Sequence, residues 1–354
     1  MIEFVKGNLL KADAEALVNT VNCVGVMGKG IALQFKQAYP QNFKEYERAC
    51  RMEEVQPGKM FTVETNSFVN PKFIINFPTK RHWKGKSQIE DIKSGLKALI
   101  NQIKELNINS IAIPPLGCGN GGLDWRIVRL LLESAFAVIP NVKVYIYEPA
   151  GAPNAETIKI GTDRPKLTKA RALFISLMNE YSIPGYKLTL LEIQKLAYFL
   201  QNVGEPLRLK FSKGLYGPYA DNLNHVLQRL EGHYLRGYGD GSRSKDILIY
   251  LLPDAANEAT EFLKNEDESL RKLNRVSEII RGFETPYGME LLATVHWVIG
   301  EKPELIADPD EVVASVHNWN ERKKKIFKPN HIKIAMEHLK SLNEFKAKRI
   351  ENSH

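Results

Sequence analysis

Twice in its first half this chain repeats one arrangement: a short apolar run, a glycine-rich loop, and a segment with helical periodicity. In the later copy the run SIAI, 110–113, leads into PPLGCGNGGLDW, 114–125, and an apolar-periodic segment covers 123–139. Four of the six residues Gly117, Cys118, Gly119, Asn120, Gly121 and Gly122 are glycine. The backbone there is free to take positive φ angles and to approach a ligand without Cβ atoms in the way. The earlier copy is VNTVNCVGVMGKGIALQFKQAYP, 18–40. Asn19 and Asn22 flank the end of its strand, and Gly25, Gly28 and Gly30 form the loop. Ile31, Leu33, Phe35 and Ala38 supply the apolar face of the helix, and Pro40 closes it. A strand, a glycine loop and a helix N-terminus gather unpaired N–H groups at the positive end of a helix dipole, which is a phosphate site. A tight turn without a ligand is the other reading of either loop taken alone.

Further strands are expected at 2–5, 16–20, 61–64, 73–77 and 142–147, and a helix at 87–104. Ser87 and Glu90 have the spacing of a capping box, and Ile89, Ile92, Leu96, Leu99, Ile100 and Ile103 follow at helical intervals. Strands alternating with helices imply an α/β sandwich on a mostly parallel sheet, with ligands at the carboxyl ends of the strands. Both glycine loops leave their strands at that end. So does NFPTKRHWKGK, 76–86, which carries four Lys and Arg residues, a His and a Trp. Its functional reading is a Lys facing a nucleotide in the cleft, with Arg81 or Trp83 nearby and Trp83 able to stack on a base. Its bland reading is a solvated basic loop.

Bulk properties set the outer limits. With 354 residues, 44% of them apolar and 25% charged, the chain reads as an ordinary globular protein of two domains. Its apolar runs are too short for a membrane span, and MIEFVK at the start reads as a strand rather than a signal peptide. Cys23, Cys50 and Cys118 form an odd set without metal-ligand spacing, so no metal and a reduced, cytoplasmic setting are expected. The net charge of +8 is denser in the first half, where residues up to 155 hold 19 Lys and Arg against 14 Asp and Glu. That balance suits a phosphate-bearing ligand.

The stretch EPAGAPNAETIKIGTDRP, 148–165, lacks periodicity and reads as a linker. The expected division is a first domain at 1–153, a linker at 154–166 and a helical domain at 167–354. Helices are expected at 167–181, 189–202, 220–231, 255–264, 268–283, 286–299, 309–321 and 329–348, with a small strand pair at 207–211 and 247–251. LTLLEIQKLAYFLQNVG, 188–204, reads as an amphipathic helix, and FSKGLYGPYADNLNHVLQRLEG, 211–232, as a Gly/Pro/Tyr turn running into another.

Residues 9–149 resemble a macrodomain, the ADP-ribose-binding α/β/α module. GNLL at 7–10, VNTVNCVGVMGKGIA at 18–32 and PPLGCGNGGLDW at 114–125 carry the match. The Lys in Thr79-Lys80-Arg81 is similar to the mark of the subgroup containing the terminal ADP-ribose protein glycohydrolase and the bacterial antitoxin DarG. The KLAYF helix and GPY turn resemble the helical Panacea, or SocA-like, domains, so the whole chain resembles the DarG family.

The resemblance implies a site without cofactor or metal. Asn8 and Leu9 would lie near the adenine. Asn22, Gly28 and Gly30 would hold the distal ribose and phosphates, with Ile31 and Thr79 beside them. Gly117, Cys118, Gly119, Asn120, Gly121, Gly122 and Leu123 would wrap the diphosphate. Lys80 would stand at ribose C1″ and carry catalysis. The human relative adds an Asp in its second loop, at the position of Gly121 here, and Asp124 is not assigned that role. The family removes ADP-ribose from thymidine in single-stranded DNA, and its C-terminal domain binds the DNA ADP-ribosyltransferase toxin. A DNA-mimicking contact would need local acidity, which is densest at 254–268. Cleavage at C1″ passes through an oxocarbenium-like or ring-opened species. A Lys there can protonate the leaving base or attack the open-chain aldehyde. Nearby phosphates favour its charged form, and with it acid or electrostatic assistance. An ADP-ribose reader with an idle Lys80, a protein-directed or O-acetyl-ADP-ribose hydrolase, and a phosphate-binding scaffold are the alternatives.

Overall fold

A computed structural model describes residues 1–151, 153–182, 186–241 and 247–343. It divides into two compact units, Met1–Asp163 with Gly239–Ser242, and Arg164–Tyr238 with Arg243–His354.

The first unit contains β1 (Ile2–Val5), β2 (Ala16–Asn22), α1 (Gly30–Ala38), α2 (Pro40–Arg51), β3 (Phe61–Glu64), β4 (Phe73–Lys80), α3 (Ile89–Glu105), β5 (Ser110–Ile113), α4 (Trp125–Phe136) and β6 (Lys143–Tyr147). The sheet order is β1-β6-β5-β2-β4-β3, parallel throughout except for β3. Period-two alternation distributes its side chains. Val18, Ile75, Phe77, Ile111, Ile113, Val144 and Ile146 join α3 and α4 in one apolar layer. Leu17, Ile74, Ala112 and Tyr147 face Phe35 and Ala38 of α1 on the other. Strands covered on both faces are buried along nearly their whole length, as β2 and β4 are, and the polar interruptions Asn19 and Asn76 are paired with each other at 3.0 Å. This is the expected three-layer α/β/α sandwich on a mostly parallel sheet.

Two local expectations fail. Helix α3 starts at Ile89 with Gln88 as its N-cap and no side-chain capping bond, so Ser87 closes no capping box. Pro40 ends α1 and also occupies the first position of α2, a helix absent from the sequence reading. Its buried Asn42, Tyr46, Ala49 and Cys50 fall at helical spacing behind a charged outer face.

The second unit is mainly helical: α5 (Lys169–Tyr181), α6 (Leu190–Asn202), α7 (Leu223–Leu230), α8 (Ala255–Leu263), α9 (Asp267–Ile280), α10 (Pro286–Glu301), α11 (Pro309–His317), α12 (Glu321–Ile326) and α13 (Pro329–Ser341). The helix expected at 309–321 ends at His317, and a further helix not expected from the sequence, α12, starts at Glu321 with the Asn320 side chain as its cap. The last part of 329–348 lies outside the described residues. The expected strand pair is not formed. Instead β8 (Phe211–Gly214) pairs with β9 (Gly217–Ala220), while β11 (Leu248–Leu251) lies between β7 (Leu188–Thr189) and β10 (Leu235–Arg236). Residues 207–210 stay outside the strands because the two-residue turn at 215–216 gives β8 a nearer partner.

Helix α6 is not amphipathic: all nine residues from Glu192 to Leu200 are buried. Thr189 and Glu192 form its capping box. Gln194 and Lys195, the apparent polar face, bond instead to the hairpin that carries the GPY residues. Gln194 Nε2 donates to Ala220 O at 3.0 Å, its Oε1 accepts from Ala220 N at 2.9 Å, and Lys195 Nζ donates to Pro218 O at 2.6 Å. Beside them Lys323 Nζ, fully buried, donates to Glu290 Oε1 at 2.9 Å and to Thr294 Oγ1 at 3.0 Å. Breaking such a buried pair by removing one partner costs about 3–5 kcal/mol. Among the described residues, no helix is long and apolar enough to cross a membrane.

Candidate active site

Strand β4 continues three residues beyond Phe77, and this extension places Lys80. In the β2–β4 ladder Asn22 lies opposite Lys80, with a register irregularity between Val21 and Asn22. Lys80 is therefore positioned by the sheet, with Thr79 buried before it. The Lys80 ammonium is partly buried and donates to the carbonyl of Asn120. Burial pushes its pKa below the usual lysine value.

Asn22 organises the first glycine loop from within. Its Nδ2 donates to Val26 O at 2.5 Å, and its Oδ1 accepts from Val24 N at 3.0 Å and Val26 N at 3.3 Å. Tyr46 of α2 fixes Asn22 in turn, its hydroxyl donating to Asn22 O at 2.7 Å. Cys23 N donates to Arg81 O at 3.3 Å, so this loop and the segment after β4 run side by side. At Gly30 a Cβ would lie 3.3 Å from Asn120 Nδ2, and the two glycine loops therefore touch. Gly30 N donates to Asp240 O at 2.9 Å within the same unit. Gly28 lies in the loop and Ile31 packs, partly buried, beside Leu9, Leu17 and Phe35.

The second loop has a buried floor and an exposed crest. Gly117 and Gly121 are buried, while Gly119, Asn120 and Gly122 are exposed. A Cβ on Gly121 would fall 2.2 Å from Gly117 O and 2.3 Å from Ser87 Oγ. No side chain fits there without displacing the loop. Ser87 N donates to Gly121 O at 3.0 Å, and the buried Ser87 hydroxyl lies under the loop without a hydrogen-bond partner among the described residues. Leu123 N returns to Gly117 O at 3.1 Å and closes the turn. Among the described residues, none accepts from the N–H groups of Gly119, Asn120 and Gly121. Successive free backbone donors are the groups from which anion sites are built. Asp124 is committed elsewhere: it caps α4 and pairs with Arg126 at 2.6 Å. Burial raises both loop thiols, Cys23 and Cys118, to about 11, so neither is a thiolate near neutral pH.

The structure thus gathers Asn22, Gly30, Lys80 and the 117–122 loop. Asn8 and Leu9 follow the carboxyl end of β1, which runs parallel with β6, β5, β2 and β4, and Leu9 shares an apolar cluster with Ile31, the neighbour of Gly30. Asn8 Oδ1 accepts from Leu10 N at 3.0 Å, and Leu9 is buried in the core. Sequence reasoning missed Tyr46 and assigned Ser87 the wrong partner. Pro40 ahead of a helical spacing was the available signal for Tyr46. For Ser87 there was none. In the second unit the acidic stretch at 254–268 is largely ion-paired: Glu258 with Arg164, Glu261 with Lys264, Glu266 with Lys169 and Glu268 with Lys272.

The chain is similar to known proteins over nearly its whole length. The Macro domain family model matches residues 18–131. The chain is 46% identical over 339 residues to the DNA ADP-ribosyl glycohydrolase of Thermus aquaticus, covering 96% of this chain and 93% of that one. It is 43% identical to the protein of that name from Mycobacterium tuberculosis, covering 96% and 99%. It is also 34% identical over 163 residues to a DNA ADP-ribosyl transferase–DNA ADP-ribosyl glycohydrolase fusion protein of Thermosipho africanus, covering 42% of each chain.

Proposed function

The chain belongs to the DNA ADP-ribosyl glycohydrolase family, and from that premise we propose that it cleaves the bond between ribose C1″ and thymine in ADP-ribosylated single-stranded DNA. The observation that carries the reading is Lys80, fixed by the β2–β4 ladder with its ammonium against the crest of the glycine loop. The N–H groups of Gly119, Asn120 and Gly121 grip the diphosphate and so set the distal ribose at the end of β4. Lys80 then donates a proton to the departing base as the C–N bond electrons pass to its ring nitrogen. Water adds to C1″, and its released proton restores the ammonium. Burial makes Lys80 a readier acid than an exposed lysine, while a bound diphosphate stabilises its charged form. The reaction uses no cofactor.

We assign the second unit to holding the DNA ADP-ribosyltransferase whose mark the first unit removes. The Thermosipho africanus fusion protein, which joins the two activities in its name, supports this pairing. Two experiments test the proposal. Purified full-length protein is given ADP-ribosylated thymidine oligonucleotide, an ester-linked ADP-ribosyl protein and O-acetyl-ADP-ribose; release from the oligonucleotide alone is expected. Tight ADP-ribose binding without release from any of them would leave only a reader. Co-purified transferase is then cross-linked to the full chain. Cross-links in residues 164–343 support the second assignment, and cross-links confined to residues 1–163 contradict it.

A further inference from the structure

The segment after Lys80 has features that cleavage at C1″ does not use. All six residues Arg81, His82, Trp83, Lys84, Gly85 and Lys86 are exposed, and Trp83 is 49% exposed despite its large apolar ring. The loop is nevertheless held in place. His82 Nδ1 accepts from Lys84 N at 3.2 Å, and Gly85 N donates to His82 O at 3.0 Å. Arg81 is tied to Asp91 at 3.1 Å. The His82 ring stacks on the indole at 5.6 Å and 29°, and the Lys84 ammonium lies 5.0 Å from it. Through Cys23 N and Arg81 O this loop abuts the first glycine loop, which exposes Val24 and Val26 at 44% and 38%. Residues 23–30, 80–88 and 114–123 together carry Lys29, Lys80, Arg81, Lys84 and Lys86 and no carboxylate.

A single exposed apolar residue is ordinary. An exposed indole and two exposed valines among basic side chains, continuous with the catalytic Lys, are suited to a ligand with flat apolar faces and a phosphate backbone. We propose that the 81–86 loop with Val24 and Val26 is the docking surface for the single strand flanking the modified nucleotide. A base stacks on Trp83, and Lys84 and Lys86 hold phosphates. The Lys84–indole contact is exposed and readily replaced by a base, which frees the ammonium for the backbone. The proposal rests on the glycohydrolase reading for its direction: the loop lies where the strand must pass if the base at C1″ belongs to DNA.

The test uses full-length protein and an unmodified, fluorescently labelled oligothymidylate of about ten nucleotides, with binding read by anisotropy across a salt series. Trp83→Ala is expected to weaken binding about tenfold and Trp83→Phe to retain most of it. Lys84→Ala/Lys86→Ala should lower the salt slope by about 1.4, roughly 0.7 for each single-strand phosphate that is no longer neutralised. The affinity for free ADP-ribose should stay unchanged in all three variants, because these side chains lie outside the glycine loops. Failure of the wild type to bind the strand would overturn the proposal, as would variants that bind it equally well or that lose ADP-ribose affinity in parallel. Strand binding without ADP-ribose release would leave the surface standing and remove the glycohydrolase reading. Release with an unchanged KM in Trp83→Ala would do the reverse.

Discussion

Adding a single methyl at Gly121 should disable the site without unfolding the domain. A Cβ there meets Gly117 O at 2.2 Å and Ser87 Oγ at 2.3 Å, against a practical limit of 3.0 Å. The loop must therefore move by about 0.8 Å to admit alanine, and neither neighbour yields easily. Gly117 O already accepts from Leu123 N, and Ser87 N is bonded to Gly121 O. Overpacking of this kind costs about 1–3 kcal/mol. A displacement approaching 1 Å in a positioning loop costs up to about 100-fold in rate. Gly121→Ala is thus expected to lower the melting temperature by several degrees and to weaken ADP-ribose binding by about 10- to 100-fold. Gly119 is the internal control: nothing lies within 4 Å of its Cβ position, so Gly119→Ala should be stable to within about 0.5 kcal/mol. Calorimetric titration with ADP-ribose and differential scanning fluorimetry measure both quantities. Wild-type binding by Gly121→Ala, or equal damage from both substitutions, would refute the role given to the loop floor.

Two more outcomes follow from buried polar groups. Tyr46→Phe removes the hydroxyl that donates to Asn22 O, and should cost about 1 kcal/mol of stability with a several-fold rise in KM. An unchanged KM would detach Tyr46 from the site. Burial first, then the Lys323 ammonium, push the Lys195 pKa down to about 7 from the usual 10.5. The unfolded chain holds that proton up to about pH 10.5 while the folded chain releases it near 7. Wild-type stability should therefore rise between these values, by at most about 1.4 kcal/mol per pH unit. Urea unfolding from about pH 7 to 9 should show that rise in the wild type and a smaller one in Lys195→Met; equal slopes contradict it.

The site's loops were legible because glycine spacing and strand–loop–helix order are local signals. Lys80 was legible as a residue, but its placement was not. Pro78 reads as a strand end, yet the strand passes through it because its missing N–H falls at the irregularity opposite Val21. Helix α2 was hidden because Pro40 serves two helices at once. Ser87 has capping-box spacing but spends its backbone on Gly121, a contact 34 residues away that no window captures. In the second unit Gln194 and Lys195 imitate a solvent face because their partners are hairpin backbone groups, invisible to periodicity. Strand partners at 207–211 and 247–251 failed for the same reason: a local pattern marks a strand, while its neighbour is set by tertiary packing.

The central claim is that Lys80 makes an enzyme of a cleft that would otherwise only hold ADP-ribose. Single-turnover release of ADP-ribose from ADP-ribosylated thymidine oligonucleotide, measured for wild type and Lys80→Ala beside calorimetric ADP-ribose affinity, separates the two roles. The rate should fall at least about 100-fold, as expected for loss of a general acid, while affinity shifts less than about threefold. Release by Lys80→Ala at the wild-type rate, or a rate loss matched by an equal loss of affinity, would contradict the account.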